Sequence, residues 1–492
     1  MRSALLNPVS SMRISILLLL VLISATSFAQ KKAQAPSISA SKKAVIQAVD
    51  NHGSDLITIS DKIWAAEETA FNEVQSAKLL ADYAEANGFK VERGVAEIPT
   101  AFVATYGSGS PVIGILGEFD ALPGLSQNKV PTKSPLHEGQ PGHGCGHNLF
   151  GTASLGAAIS IKEMIEQGKL KGTIKFYGTP AEEKFFGKLW MVRAGLFNGV
   201  DVVMDWHPGA ETKAAVQTGL ALVDFIVEFT GQAAHASADP WNGRSASDAL
   251  ELYATGINYL REHVKPSVRM HYHIQDGGQV VNVVSDYSRL WVRVRDTKRE
   301  GMEEVYERVK KMAEGAAILA NVNYKTSLVS GVYEVLVNRT GGDLLTKNLG
   351  LLGPMTYTET EVDFAKKIQE STGKPQVGLH TIVEPLEDTD PNAGGGSTDV
   401  GDVSWVVPTI RLSVATAPIG TPWHSWAVVA CGGMSIGHKG MLHASKTLAM
   451  TMIDLYEDPK KIEAVKAEFK ERKGNAVYKG LIPDGPPPLD RK

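Results

Sequence analysis

An α/β fold interrupted by an inserted α+β unit is what this 492-residue sequence predicts. Three successive strand-like runs, residues 112–116, 173–177 and 200–204, each lead into residues able to do chemistry: Glu118 with Asp120, Glu182 with Glu183, and His207. Helical runs at 149–166 and 189–196 separate them. Such alternation builds a sheet whose carboxyl edge gathers the polar side chains, where open α/β sheets place their sites. From about Ala221 the texture changes to alternating strands and amphipathic helices, and after Asn338 the α/β texture returns.

In chain order, residues 42–67 and 73–87 read as amphipathic helices, the second stopped by Asn87-Gly88. Residues 101–106 are β-rich, and 112–116 form a continuous apolar run, as a strand buried on both faces requires. In the insert, 221–229 and 289–295 alternate, 245–263 and 305–320 are helical, and 324–328 supplies a last strand. A β-α-β-β-α-β-like unit with an antiparallel sheet fits this span and is self-contained enough to form a lid. A helical region at 344–369, a Pro/Asp/Gly-rich loop at 385–396, a strand at 409–415 and a final helix at 439–456 complete the fold, before a charged, Pro-rich tail. The division expected is a signal peptide at 1–29, a linker at 30–41, the α/β domain at 42–220 and 338–475, the lid at 221–337 and a tail at 476–492.

Composition is that of a globular enzyme, 43% hydrophobic and 21% charged, and the net charge of -4 carries no basic excess. Nucleic acid is therefore not an expected partner. The apolar run 14–23 follows Arg2 and Arg13 and ends in Ser24-Ala25-Thr26-Ser27-Phe28-Ala29, with small residues where a signal peptidase cuts. It is too short for a membrane anchor, so the mature chain is expected to be exported, periplasmic or secreted, with no stable membrane insertion. A Cys145–Cys431 disulfide would suit export. Cys145 lies among histidines, however, and Cys431 reads as a small buried residue.

The stretch Gly142-His143-Gly144-Cys145-Gly146-His147-Asn148 sets a thiol and an imidazole two positions apart among glycines, directly ahead of a helix. That is metal-site spacing, although two ligands alone do not make a site. Glu182-Glu183 adds a carboxylate to bind a metal and a neighbour free to act as general base. An exposed charged turn is the plain alternative, and the buried strand ahead of the pair argues against it. His207 and His424 each follow a tryptophan beside a proline and complete five ligand-type residues: Cys145, His147, Glu183, His207 and His424. Five exceed the three or four that one zinc needs, which implies two divalent ions. The thiolate favours zinc, and the carboxylate and imidazoles leave manganese or cobalt open. His235 lies in the insert and reaches the site only if the lid does; a solvated or capping histidine is the alternative. Asn282, in the run 277–284, is a candidate to meet a substrate carboxylate or a developing oxyanion, with a plain turn into a strand as the alternative; Arg295, ending an alternating strand, is a further substrate candidate. His-Glu-x-x-His, P-loop and dinucleotide motifs are absent.

In order, Gly117-Glu118-Phe119-Asp120-Ala121-Leu122-Pro123, the Cys145-x-His147 stretch, Pro180-Ala181-Glu182-Glu183, Trp206-His207-Pro208, Ala233-Ala234-His235-Ala236, Ser397-Thr398-Asp399-Val400-Gly401-Asp402 and Pro422-Trp423-His424-Ser425 resemble the metal-dependent amidohydrolases of the aminoacylase and hippurate hydrolase superfamily, with most likeness to its aminobenzoyl-glutamate utilisation protein B group. The resemblance covers nearly everything after the linker. It implies a zinc-peptidase-like catalytic domain with an inserted ferredoxin-like lid that also dimerises, the five ligands above, Glu182 as general base and His235 as a lid residue that can enter a partner's site. It also implies hydrolysis of an N-acyl amino acid such as p-aminobenzoyl-glutamate by a metal-activated water, in a homodimer or with a second subunit. The alternatives are a broader dipeptidase or aminoacylase, and a non-catalytic exported ligand-binding protein. Two departures bear on the metal: Glu118-Phe119-Asp120 stands where many relatives have His-x-Asp, and Asn148 where many have Asp.

Overall fold

A computed structural model describes residues 37–388 and 390–489. The expected signal at 1–29 and most of the linker lie outside the described residues, and Ala40 already begins a helix. Helix α1 (Ala40–Ala66) opens at Ser39, whose hydroxyl accepts from the Lys42 amide at 3.3 Å. Helix α2 (Val74–Ala86) closes at Asn87, ahead of Gly88 at φ +89°. Strands β1 (Lys90–Arg93), β2 (Phe102–Ser108) and β3 (Val112–Gly117) precede α3 (His147–Glu166). Then come β4 (Gly172–Gly178), α4 (Gly187–Arg193), β5 (Val202–Gly209) and the short β6 (Lys213–Ala214). The insert runs β7 (Ala221–Thr230), α5 (Ala246–Leu260), β8 (Arg269–Asp276), β9 (Tyr287–Asp296), α6 (Arg299–Ala320) and β10 (Asn323–Val332). The chain ends through α7 (Arg339–Leu352), α8 (Glu359–Ser371), α9 (Val400–Ser404), β11 (Thr409–Ala415), α10 (Trp426–Gly432), α11 (Ser435–Glu457) and α12 (Pro459–Lys473).

Seven strands form one sheet in the order β1-β2-β4-β3-β5-β11-β6, in which β4, β3, β5 and β11 run parallel. Helices α1, α2, α3, α7 and α11 pack one large core against a face of this sheet. Helix α3 is buried almost all round, as a helix without a polar face must be. Its Gly151 is obligatory, because a Cβ there would meet the Glu118 carbonyl oxygen at 2.7 Å. A second core on the opposite face joins Leu116, Tyr177 and Val203 to Trp190, Met191, Val400 and Val403 of α4 and α9. The insert has its own four-stranded antiparallel sheet, order β10-β7-β9-β8, and its own core from β7, β9, α5 and α6. This is the ferredoxin-like arrangement expected, and the mixed α/β fold is as predicted.

Several local expectations are corrected. Asp205 to Pro208 lie within β5, not beyond its end, because parallel pairing with β11 continues to Gly209. The single helical region at 344–369 is two helices, broken where Gly353 takes φ +80° and Pro354 cannot continue. The charged stretch after residue 456 is not all tail: Asp458 caps α12 by accepting from the Lys460 amide at 3.1 Å, and Pro459 starts it. Among the described residues no helix is long and apolar enough to cross a membrane.

Candidate metal centre

Alternation along the parallel strands sorts the site from the core. On β5, Val202, Met204 and Trp206 enter the helix-covered core, which sends Asp205 and His207 to the other face. On β11, Ile410, Leu412 and Val414 do the same, leaving Arg411 in register with Asp205 and Ser413 with His207. Past the end of β3, Phe119 is core, while Glu118 and Asp120 are buried polar residues.

The turns that deliver the remaining groups are strained. Ala181, Phe185 and Phe186 around the Glu182-Glu183 pair have φ of +62°, +114° and +58°, and His424 has +55°. Positive φ costs energy for residues with a Cβ and persists where surrounding contacts impose it. One such contact is visible: Glu73, fully buried, accepts the Ala181 amide at 2.9 Å and the Thr100 hydroxyl at 3.0 Å. Ahead of α3, Gly146 at φ +80° turns the chain so that Cys145 and His147 converge.

The five expected ligands come together in two sets. Ligand atoms of Cys145, His147 and His207 lie within 4.8 Å of one another, and so do those of Cys145, Glu183 and His424. Cys145 is common to both. Its Sγ is 3.3 Å from His207 Nε2, and His207 Nδ1 donates to the Pro208 carbonyl at 2.7 Å, which leaves Nε2 the lone-pair nitrogen. Burial, with the neighbouring His147 charge, pushes His207 down to about 4, so this imidazole is neutral. His147 Nδ1 donates to Asp120 Oδ1 at 2.9 Å, and Asp120 Oδ2 accepts the Glu183 amide at 2.9 Å. His147 Nε2 lies 3.0 Å from Glu118 Oε2 without the alignment of a hydrogen bond, and both atoms are buried without a hydrogen-bond partner. Glu183 Oε1 is similarly orphaned, and its other oxygen is 3.5 Å from His424 Nε2.

This arrangement fits a cation. Burial and the Glu183 charge push the Cys145 thiol up, burial foremost pushes Glu183 up to about 7, and burial with Glu118, Glu183 and Asp399 holds Glu182 well above the ordinary carboxylate value. Orphaned lone pairs in a desolvated, acid-rich cluster are what bound divalent ions satisfy. The donor set of one sulfur, three imidazoles and one carboxylate suits divalent transition-metal ions.

Below the cluster lies a group that sequence reading missed. Lys188, fully buried on α4, donates to Glu118 Oε1 and Asp399 Oδ1, both at 2.6 Å, and its amide donates to Asp399 Oδ2 at 2.9 Å. A lone lysine inside Phe185-Phe186-Gly187-Lys188-Leu189-Trp190-Met191 was the available signal. Asp399 belongs to a motif recognised in the sequence, but its partner was not legible.

A cavity of about 560 Å³ opens over the cluster, lined by Cys145, Glu182, Glu183, His207 and His424 from the sheet domain and by Leu222, Arg293 and Arg295 from the insert. His147 is enclosed behind it. Arg295 thus lines the cavity. His235 and Asn282 are not brought to this cavity within the single chain: both are exposed, on adjoining loops where the Ala236 amide donates to the Asn282 carbonyl at 3.1 Å. Cys145 and Cys431 are both free and buried, and Cys431 packs in a small core with Phe364 and Ile368.

Comparison with known proteins gives the family. The family model described as Peptidase family M20/M25/M40 matches residues 114–345. The chain is 38% identical over 460 residues to one of the subunits of the p-aminobenzoyl-glutamate hydrolase of Escherichia coli, covering 88% of this chain and 95% of that one. It is 29% identical over 444 residues to the Xaa-Arg dipeptidase of Mus musculus, covering 87% and 92%. Among solved structures, the fold is similar to a dinuclear metal binding peptidase of the M20 family from Bacillus subtilis, with TM-score 0.57, 18% identity and coverage of 83% and 99%. It is also similar to an aminobenzoyl-glutamate utilization protein from Klebsiella pneumoniae, with TM-score 0.58, 18% identity and coverage of 83% and 97%. The chain is a hydrolase and belongs to peptidase family M20/M25/M40.

Proposed function

We propose that this chain hydrolyses the amide bond of N-acyl amino acids, p-aminobenzoyl-glutamate among them, with Cys145, His147, Glu183, His207 and His424 holding two divalent ions and Glu182 as general base. The observation that carries the reading is that Cys145 is the shared corner of two donor sets. When bound, such ions polarise a carbonyl and make water acidic enough to attack near neutral pH. Glu182 is buried at the cavity wall beside Glu183, takes the proton of the attacking water and returns it to the leaving nitrogen. Its raised proton affinity suits the return step. Zinc is the proposed ion, on the strength of the thiolate.

His235 Nδ1 accepts the amides of Ser237 and Ala238 at 3.3 and 3.2 Å, so the neutral ring carries its proton on Nε2, ready to donate to a developing oxyanion. Because it stands away from its own chain's cavity, it is proposed to serve the site of a second copy, with Asn282 beside it. Exposed Trp241, Val280 and Val281 near these residues give the insert an apolar surface suited to such pairing. A second, different subunit is the alternative, since the Escherichia coli relative is named as one subunit of its hydrolase. The other named subunit of that hydrolase is also similar to this chain, 30% identical over 243 residues. The run at 14–29 supports export to the periplasm or medium.

The test is amine release from p-aminobenzoyl-glutamate and a panel of N-acyl amino acids and dipeptides, after chelation and reloading with zinc, manganese or cobalt. Metal-restored release establishes the reaction and ranks substrates. Stoichiometric metal binding with no release from any member overturns it in favour of a binding protein. A dipeptidase reading draws on the Xaa-Arg relative, and the same panel decides it.

A further inference from the structure

Arg411 is explained neither by the ligand set nor by the general base. It projects from β11 into the cavity, in register with Asp205 and two residues from Ser413, the partner of His207. Its Nε donates to Asp205 Oδ2 at 2.7 Å, and among the described residues no acceptor bonds its two terminal nitrogens. Asp205 is fully buried and its Oδ1 has no partner. A buried pair left half-satisfied gains little stability over an apolar pair of the same size, so stability alone does not account for it. Two more arginines line the same cavity from β9. Arg293 is committed to Asp224, through Nε at 2.7 Å and Nη2 at 2.5 Å. Among the described residues Arg295 forms no salt bridge, and its Nε is buried without an acceptor. Among the described residues, the carboxylates in the lining are Glu182 and Glu183, both assigned above to catalysis and metal.

We propose that Arg411, held in place by Asp205, is the specificity residue that reads a second carboxylate on the amino-acid part of the substrate, Arg295 taking the first. The substrate class is then an N-acyl dicarboxylic amino acid of the glutamate or aspartate type, and a basic side chain is excluded by like charge. This assignment rests on the amide-hydrolase reading of the same site. Two cationic forks that keep free N–H donors, beside carboxylates already assigned to the ions and the proton transfer, are the chemistry that recognises a dicarboxylate.

The experiment compares benzoyl-glutamate, benzoyl-glutamine and benzoyl-arginine in the metal-loaded wild type, Arg411→Lys, Arg411→Gln and the paired Asp205→Asn/Arg411→Gln variant. The expected result is a wild-type preference for the glutamate over the glutamine substrate of roughly 10- to 100-fold in kcat/KM, mostly through KM. That ratio falls to near unity in both glutamine-bearing variants and is partly kept by lysine. The paired variant leaves no unmatched buried charge, so a collapse there is not misfolding. A wild type indifferent between glutamate and glutamine, or a preference surviving in both glutamine-bearing variants, overturns the assignment while leaving amide hydrolysis intact. Calorimetric binding of free glutamate against free glutamine supplies a readout apart from turnover. If no benzoyl amide is cleaved, the hydrolase reading fails; an Arg411-dependent glutamate preference in binding still supports the assignment, and its absence overturns it.

Discussion

Asp120 ties His147 to Glu183: one carboxylate oxygen accepts from His147 Nδ1 and the other from the Glu183 amide, both at 2.9 Å. One buried side chain therefore sets the tautomer of a proposed ligand in one donor set and the backbone position of a proposed ligand in the other. Burial opposes its ionisation, yet the charge of His147 and these hydrogen bonds hold it below the ordinary aspartate value. Asp120→Ala should lower zinc affinity by about 10- to 100-fold, the usual effect of losing such an outer support. Competition with a chromogenic chelator measures it, and unchanged affinity would show the contact to be incidental.

Cys145 is the shared corner of both donor sets, so its loss should act on both proposed ions together. Cys145→Ser replaces a thiolate by a hydroxyl that stays protonated, and the expected outcome is zinc content well below two per chain after dialysis. Metal analysis by mass spectrometry decides. Retention of both ions would mean the sets do not share a ligand.

Glu182→Gln preserves size and removes the proposed proton carrier. The variant should bind metal like the wild type and lose turnover by at least about 100-fold, the lower range for a general base. Stopped assays on the loaded variant test this, and near-wild-type turnover would remove Glu182 from its role.

What could be seen from the sequence follows a physical line. The Cys145-x-His147 pair, Glu182-Glu183 and the two Trp-His pairs were legible as candidates because ligand-type residues stand beside glycine or proline next to predicted strands and helices. The division of labour behind them was not: Lys188 meets Glu118 across 70 residues and Asp399 across 211, and no local pattern encodes such a meeting. Strand β8 escaped notice because it is an edge strand with mostly exposed residues, lacking the apolar alternation that betrays a half-buried one. Helix α12 escaped for the parallel reason: it buries only Ile462 and Val465, so charge dominates its composition.

Lys188 is fully enclosed between two carboxylates. Lys188→Met leaves Glu118 and Asp399 buried without their cation, and removing one partner of a buried pair costs about 3–5 kcal/mol. A fall of that size in urea-unfolding free energy is expected, partly recovered when Glu118→Gln is added to remove one of the stranded charges. A single variant as stable as wild type would show that the network relaxes to solvent.

Glu73 supplies a pH signature. Burial, reinforced by the Asp120 charge, pushes its carboxyl from the ordinary 4.5 up to about 8, against the hydrogen bonds from Thr100 and Ala181. Between those values the folded protein keeps a proton that the unfolded chain has lost. The Glu73 contribution is therefore fully present below about pH 4.5 and is lost as pH rises through about 8. Glu73→Gln keeps an acceptor for the Ala181 amide and a polar partner for Thr100, and it does not titrate. Relative to this variant, the chelated wild type should lose unfolding free energy steadily as pH is raised from 5 to 8, in parallel urea titrations. Because Glu73 also braces the turn that carries Glu182 and Glu183, the same substitution should hold that turn across the range, so the slope alone separates titration from lost support. A wild-type-to-variant difference that stays constant with pH would mean Glu73 is ionised in the folded protein.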